Sequence, residues 1–200
     1  MTDPMLFRLF WKEYRVQRGF WLSLGGLTLG LQLIIAAIPA RYLDHTTWMF
    51  NLAVVFPAFY ALGCGATTFA LEREEGTAEQ LRILAVPAGR LFLTKLVFGL
   101  VSALALLGVL SLLAFALARG QLPTGGSTGE LWGFWGFALL EMLAWGLFFS
   151  LLTRRPLTAA CLAAVAWLAT LYASNWIGDV LLHYTRRPRA ELWLLSAPCR

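Results

Sequence analysis

Five long runs organise the chain: Gly19–Ala40, Thr46–Leu71, Leu96–Ala118, Leu131–Thr153 and Pro156–Gly178, each 22 to 26 residues, and uncharged apart from Glu141 in the fourth. At about 1.5 Å of rise per residue, each can cross roughly 30 Å of hydrocarbon as an α-helix. Helix is required at that depth because lipid offers no partner to a backbone amide. The pattern predicts an all-α polytopic membrane helix bundle. Its five spans fall at about 20–40, 47–71, 96–118, 131–153 and 156–178, within one transmembrane domain over 1–200. Two polar stretches, 5–18 and 72–95, hold enough sequence for helices outside the lipid.

Composition agrees. The chain is 59% hydrophobic and 14% charged, with a mean hydropathy of +0.68, whereas soluble domains run about 45–50% apolar and about 25% charged. That excludes a soluble enzyme and a disordered tail. Cys64, Cys161 and Cys199 follow no ligand or disulfide spacing. No phosphate loop, HExxH or GxSxG sequence occurs, so neither a catalytic residue nor a metal site is expected. Five spans also leave no room for a nucleotide-hydrolysing domain. The N-terminus does not read as a cleavable signal, since residues 1–18 carry four basic residues before a long apolar run.

The net charge of +5 becomes a topology signal rather than a nucleic-acid signal. With a cytoplasmic N-terminus, ten basic residues fall inside: Arg8, Lys12, Arg15, Arg18, Arg73, Arg82, Arg90, Lys95, Arg154 and Arg155. The loops 41–45 and 119–130 hold only Arg41 and Arg119. This asymmetry predicts a multi-pass protein of the cell (inner) membrane with its N-terminus inside. Arg186, Arg187, Arg189 and Arg200 run against it, falling outside after the fifth span. Trp21 is expected at the inner interface and Trp48, Trp132, Trp135 and Trp176 at outer ones, with Trp145 and Trp167 as packing residues. Gly26/Gly30, Ala61/Gly65, Gly99/Ala103 and Ala159/Ala163 are small-xxx-small pairs suited to close helix packing. Residues 120–129 read as a flexible external loop.

Arg8, Lys12 and Arg15 form a basic stripe at helical spacing opposite Leu6, Leu9, Phe10 and Tyr14. Residues 5–18 therefore predict a helix lying on the membrane surface, with a plain charged flank as the alternative. Glu13 and Gln17 interrupt the apolar side. In 72–95, Gly76 permits a sharp turn out of the second span. Thr77 and Gln80 fit a capping box, and Glu79 lies in the first turn where the helix dipole favours an anion. The short helix ends near Val86, because Pro87 disfavours helix in the residue before it. Leu81, Ile83 and Leu84 give it apolar surface, and Glu72, Arg73, Glu74 and Glu75 give it a charged entry.

The run Phe-Ala-Leu-Glu-Arg-Glu-Glu-Gly-Thr-Ala-Glu-Gln-Leu over 69–81, followed by Val86-Pro87 and by Arg90 to Lys95, resembles the segment after the second span of type-2 ATP-binding-cassette (ABC) exporter permeases. The resemblance implies that 72–86 is a coupling helix seated in a cleft of an ATP-hydrolysing partner. Glu72, Arg73, Glu74, Glu75, Gly76, Thr77, Glu79 and Leu81 would then be the docking residues, and 5–18 the interfacial helix. It implies a cytoplasmic ATP-binding subunit that carries the ATP and Mg, no cofactor on this chain, and a second permease subunit as homo- or heterodimer, all in membrane lipid. Family members usually have six spans with re-entrant external segments. Here the chain stops at Arg200 after a short apolar stretch, Leu192–Leu195, which reads as a fragment or a shortened subunit.

Glu141 lies near the middle of the fourth span, where an ionisable residue is a functional candidate by default. It suits either a translocation path or a hydrogen-bonded structural role beside Gln32, Asn51 or a threonine. Asn51 and Gln32 are candidates for the same path, or amides that hold helices together. The function expected is a permease subunit of an ABC exporter. The alternatives are a non-transporting scaffold or assembly factor that recruits a cytoplasmic partner and, resting on Glu141 alone, an intramembrane enzyme.

Overall fold

The computed structural model describes the backbone of residues 4–38, 44–74, 76, 87–121 and 128–195, with side chains over 10–38, 44–74, 76, 87, 89–121, 133 and 136–180. These residues form five helices: α1 (Pro4–Ala37), α2 (His45–Glu74), α3 (Ala88–Leu117), α4 (Thr128–Leu152) and α5 (Pro156–Leu195). Four helical stretches are long and apolar enough to cross a membrane: Phe10–Ala37, His45–Glu74, Gly89–Leu117 and Pro156–Val180. In α4 the apolar stretch Gly136–Leu152 is shorter.

The helices outrun the apolar stretches that predict them. Hydrophobicity marks where lipid ends, whereas caps and turn residues mark where a helix ends. The separate interfacial helix expected over 5–18 is instead continuous with the first span in one 34-residue helix. A lone Gly19 costs about 1 kcal/mol in helix propensity and does not break it. Likewise α2 absorbs Glu72, Arg73 and Glu74, and α3 starts at Ala88 rather than near 96. Only 75–87 therefore lies between them, and the short helix expected over 77–86 is outside the described residues.

Local chemistry sets the observed ends. Asp44 precedes α2 and accepts hydrogen bonds from the Thr47 hydroxyl at 2.6 Å and the Thr47 amide at 3.4 Å, an N-cap. Those bonds, the hydroxyl's first, hold its carboxyl below the usual range. Past α2, Gly76 takes φ +70°, the left-handed conformation open to glycine that turns the chain away. Pro87 stands ahead of α3 with extended backbone. The far end of α3 closes with Arg119 N–H bonded to Ala116 O and Gly120 N–H to Phe115 O, a Schellman pattern. Pro156 opens α5 at the first helical position, where its missing N–H costs nothing.

Contacts divide the chain into two compact units, Met1–Ala164 and Val165–Arg200. In the first, α2 is the central helix, packed chiefly on α4 and also on α3 and α1, while α1 packs on α3 as well. It is apolar on every side, as a helix enclosed by others must be. Small residues (Ala53, Ala58, Ala61, Gly65, Ala66, Ala70) recur among its buried positions. The core joins Met49, Phe50, Val54 and Tyr60 of α2 to Leu106, Leu107 and Leu110 of α3 and to Leu139, Leu143 and Leu147 of α4. In the second unit, Val165, Leu168, Tyr172, Trp176 and Ile177 are exposed.

Helix α1 inverts the pattern of a soluble amphipathic helix. Among its described residues the buried ones are Glu13, Gln17, Thr28 and Gln32, all polar. Its exposed residues include Trp11, Val16, Phe20, Leu22, Leu27, Leu33 and Ile34. In lipid the polar groups are the ones that must be turned inward, so this polarity is the physically expected one.

Candidate functional site

The buried polar stripe of α1 ends in a charge cluster. Glu13 and Lys12 on α1, Glu72 on α2 and Lys95 on α3 meet at the end of the bundle where α2 stops and α3 starts. Lys95 Nζ lies 2.8 Å from Glu72 Oε1 and 3.4 Å from Glu13 Oε1. It also donates to the Thr68 carbonyl at 2.7 Å, so three oxygens stand around the ammonium. The ammonium stands 4.9 Å from the centroid of the Phe69 ring, within cation–π range. Lys12 Nζ reaches the same Glu72 oxygen at 3.0 Å.

Exposure separates the members. The Lys95 side chain is 3% exposed, Glu13 and Glu72 10% and 11%, and Lys12 44%. Two lysines against two glutamates leave no net charge, so the buried cluster escapes the cost of an isolated ion. A cavity of about 30 Å³ among these residues has room for water, which needs roughly 10–15 Å³ and polar partners. One turn along α1, Gln17 Nε2 donates to Thr67 Oγ1 at 2.9 Å. Arg73, next to Glu72, donates to the Leu151 carbonyl at the end of α4. The termini of α2, α3 and α4 and the first third of α1 are thus tied together beside the Gly76 turn.

The sequence-derived candidates divide. Glu72 is buried in the cluster, where its carboxylate pairs with Lys12 of α1 and Lys95 of α3. Arg73 and Glu74 are exposed at the end of α2, and Gly76 makes the turn. Glu75, Thr77, Glu79 and Leu81 lie outside the described residues. Sequence reading used Lys12 as a topology charge and part of a surface stripe, Lys95 as a topology charge and part of the family-like run, and took Glu13 and Gln17 for flaws in an amphipathic helix. The available signal was the inward spacing of Glu13, Gln17, Thr28 and Gln32, visible once lipid is taken as the solvent.

Gln32 is fully buried, and its amide donates to Met49 O on α2 and Leu110 O on α3, each at 3.3 Å. Two facing carbonyls can be served only by the NH2 group, which fixes the amide orientation and leaves Oε1 buried without a partner. These bonds clamp three helices together. Gln32→Leu is expected to cost about 1 kcal/mol in thermal unfolding, in the range of interhelical side-chain bonds in lipid. The orphaned Oε1 keeps the loss small. Gln32 is 19 residues beyond Glu13 on α1, roughly 28 Å along the axis, close to the hydrocarbon thickness. Asn51 and Glu141 are each half-buried, on α2 and α4.

Trp21 departs from its expected place as a wetted interface anchor. Its Nε1 donates to the Ser102 carbonyl on α3 at 3.2 Å, and Tyr60 donates to Ser102 Oγ at 3.2 Å. Trp48, at the start of α2, is half exposed.

A bundle that hides its polar groups and shows its apolar ones is a multi-pass membrane protein. A family model described as ABC-2 family transporter protein matches residues 14–181. The chain belongs to that family: it is a membrane permease of the ABC-2 type, a transport component that works with an ATP-binding subunit. No match was found among curated proteins or among solved structures.

Proposed function

We propose that the chain is the membrane subunit of an ABC exporter, with five spans, a cytoplasmic N-terminus in the cell (inner) membrane, and a second permease unit completing the path. ATP and Mg belong to a separate ATPase subunit that engages residues 75–87. The observation that supports this reading is the buried cluster immediately inside that segment. Glu72 stands three residues before the segment and Lys95 eight residues after it, and their ion pair ties the two helices together. A push on 75–87 therefore moves α2 and α3 as a pair. Lys12 and Glu13 carry α1 with them.

Such coupling requires that ATP-bound partner favour one arrangement of the helices over another by a difference in interaction energy. The exposed Glu74 and the next residue in sequence, Glu75, are where that contact is tested. Glu74→Lys combined with Glu75→Lys is expected to lower permease-stimulated ATPase activity about five- to tenfold in co-reconstituted vesicles, as loss and reversal of exposed charge pairs suggests. Insertion and the unfolding midpoint stay at the parent values. Full stimulation by a correctly inserted double variant would remove the docking role from these acids. Glu72→Lys does not serve, because it would set three lysines together in the cluster.

A further inference from the structure

A cleft of about 480 Å³ runs along the seam of α1 and α3, lined by Phe10, Tyr14, Arg18 and Trp21 on one side and by Phe98 and Val101 on the other. Its lining is largely apolar and aromatic. Three polar groups in its wall are committed to protein partners: Gln17 to Thr67, Trp21 to the Ser102 carbonyl and Tyr60 to the Ser102 hydroxyl. Arg18 is different. It is exposed, it lines the cleft, and among the described residues it forms no ion pair. It is also the last charged residue before the uncharged run that begins at Gly19, which sets it at headgroup depth.

We infer that this cleft binds one anionic phospholipid, with an acyl chain along the α1–α3 seam and the phosphate on the Arg18 guanidinium. On the side of the uncharged run the lining continues past Arg18 with Trp21 and Leu22 on α1 and with Val101 and Ala105 on α3. The planar guanidinium matches a phosphate through two parallel hydrogen bonds. An extended peptide would need backbone partners that these walls do not offer, whereas an alkyl chain needs none. The site is independent of ATPase coupling, since it involves neither 75–87 nor the ion cluster.

Native mass spectrometry of the purified full chain, delipidated in detergent and titrated with dioleoyl phosphatidylglycerol or dioleoyl phosphatidylcholine, tests this. The parent protein is expected to retain one lipid and to prefer phosphatidylglycerol about fivefold, the effect of one basic residue near a lipid surface. Arg18→Gln abolishes the preference, and Arg15→Gln, whose charge lies off the cleft, keeps it. Val101→Trp fills the mouth and loses both lipids. Val101 is 57% exposed, so that variant folds, and Ala105→Phe gives a second filling variant should it not. Equal retention of the two lipids, unchanged binding in both filled variants, or loss of preference in Arg15→Gln as large as in Arg18→Gln would each overturn the site. So would displacement of the lipid by inorganic phosphate, or a chain dimer that forms without lipid and is broken by Val101→Trp.

Discussion

Lys95→Met is expected to lower unfolding stability by about 3–5 kcal/mol, read from thermal or denaturant unfolding of the full chain in lipid nanodiscs. That is the usual cost of removing one partner from a buried ion pair. Lys95 is 3% exposed and holds Glu72, Glu13 and the Thr68 carbonyl together. Without it, two nearly buried carboxylates face each other with only the half-exposed Lys12 to offset them. Lys12→Met should cost no more than about 1 kcal/mol, because a pair screened by water is worth little. Replacing Glu13, Glu72 and Lys95 together by apolar or amide residues should recover most of the Lys95→Met loss, since a matched apolar substitute for a buried pair is often neutral. If Lys95→Met proves as mild as Lys12→Met, the cluster does not hold the helices together. The same series separates assembly from coupling. A triple variant that folds but no longer stimulates its ATPase would show that the cluster transmits motion as well as holding the fold.

The four stretches long and apolar enough to cross a membrane were legible because a charge in hydrocarbon is costly enough to leave a mark in a single sequence. Arg18 before Gly19 and Arg154-Arg155 between α4 and α5 delimit apolar runs. The turn at Gly76 was legible too, because few residues besides glycine adopt φ +70°. What escaped was the meaning of polar residues near the lipid edge. Glu13 and Gln17 looked like defects on the apolar side of a surface helix. In the bundle they are two of the four buried residues described in α1. Lys95 counted as a topology charge, although its ammonium is enclosed on α1, α2 and Phe69. Periodicity shows that a stripe exists, but the solvent decides which stripe faces inward. Partners such as Glu72 and Lys95 are fixed by how helices pack, and no local pattern carries that. The small-residue pairs were equally mixed. Ala61/Gly65 and Ala159/Ala163 lie at contacts, whereas Gly26 and Gly30 face open space.

Gly146→Ala is expected to destabilise the bundle by about 1–3 kcal/mol, the cost of forcing a methyl group into a packed seam, and Gly146→Leu to prevent α4 from docking. A Cβ on Gly146 would stand 2.5 Å from Leu62 O, 3.0 Å from Ala66 N and 3.1 Å from Gly65 Cα. A Cβ on Gly65 would meet Leu143 O at 2.8 Å and Leu147 N at 2.9 Å. These obstacles are backbone, so relief comes only by moving α2 and α4 apart. At Gly63 the obstacle is the Phe20 ring at 2.7 Å, a side chain that can swing aside, and alanine there should cost less. Gly26 meets nothing within 4 Å, so Gly26→Ala should be neutral or raise stability by up to about 1 kcal/mol through helix propensity. Lipid supplies no hydrophobic drive for helices to associate, and close approach of α2 to α4 therefore carries much of what holds α4 in place. Unfolding midpoints in nanodiscs decide the matter, and Gly146→Ala as stable as Gly26→Ala would refute the contact. The double variant Gly65→Ala with Gly146→Ala sharpens it. Once the first methyl has parted the helices, the second enters space already opened. Its added cost should fall well below its cost alone, a non-additivity of about 0.5–3 kcal/mol that contacting residues show and distant ones do not.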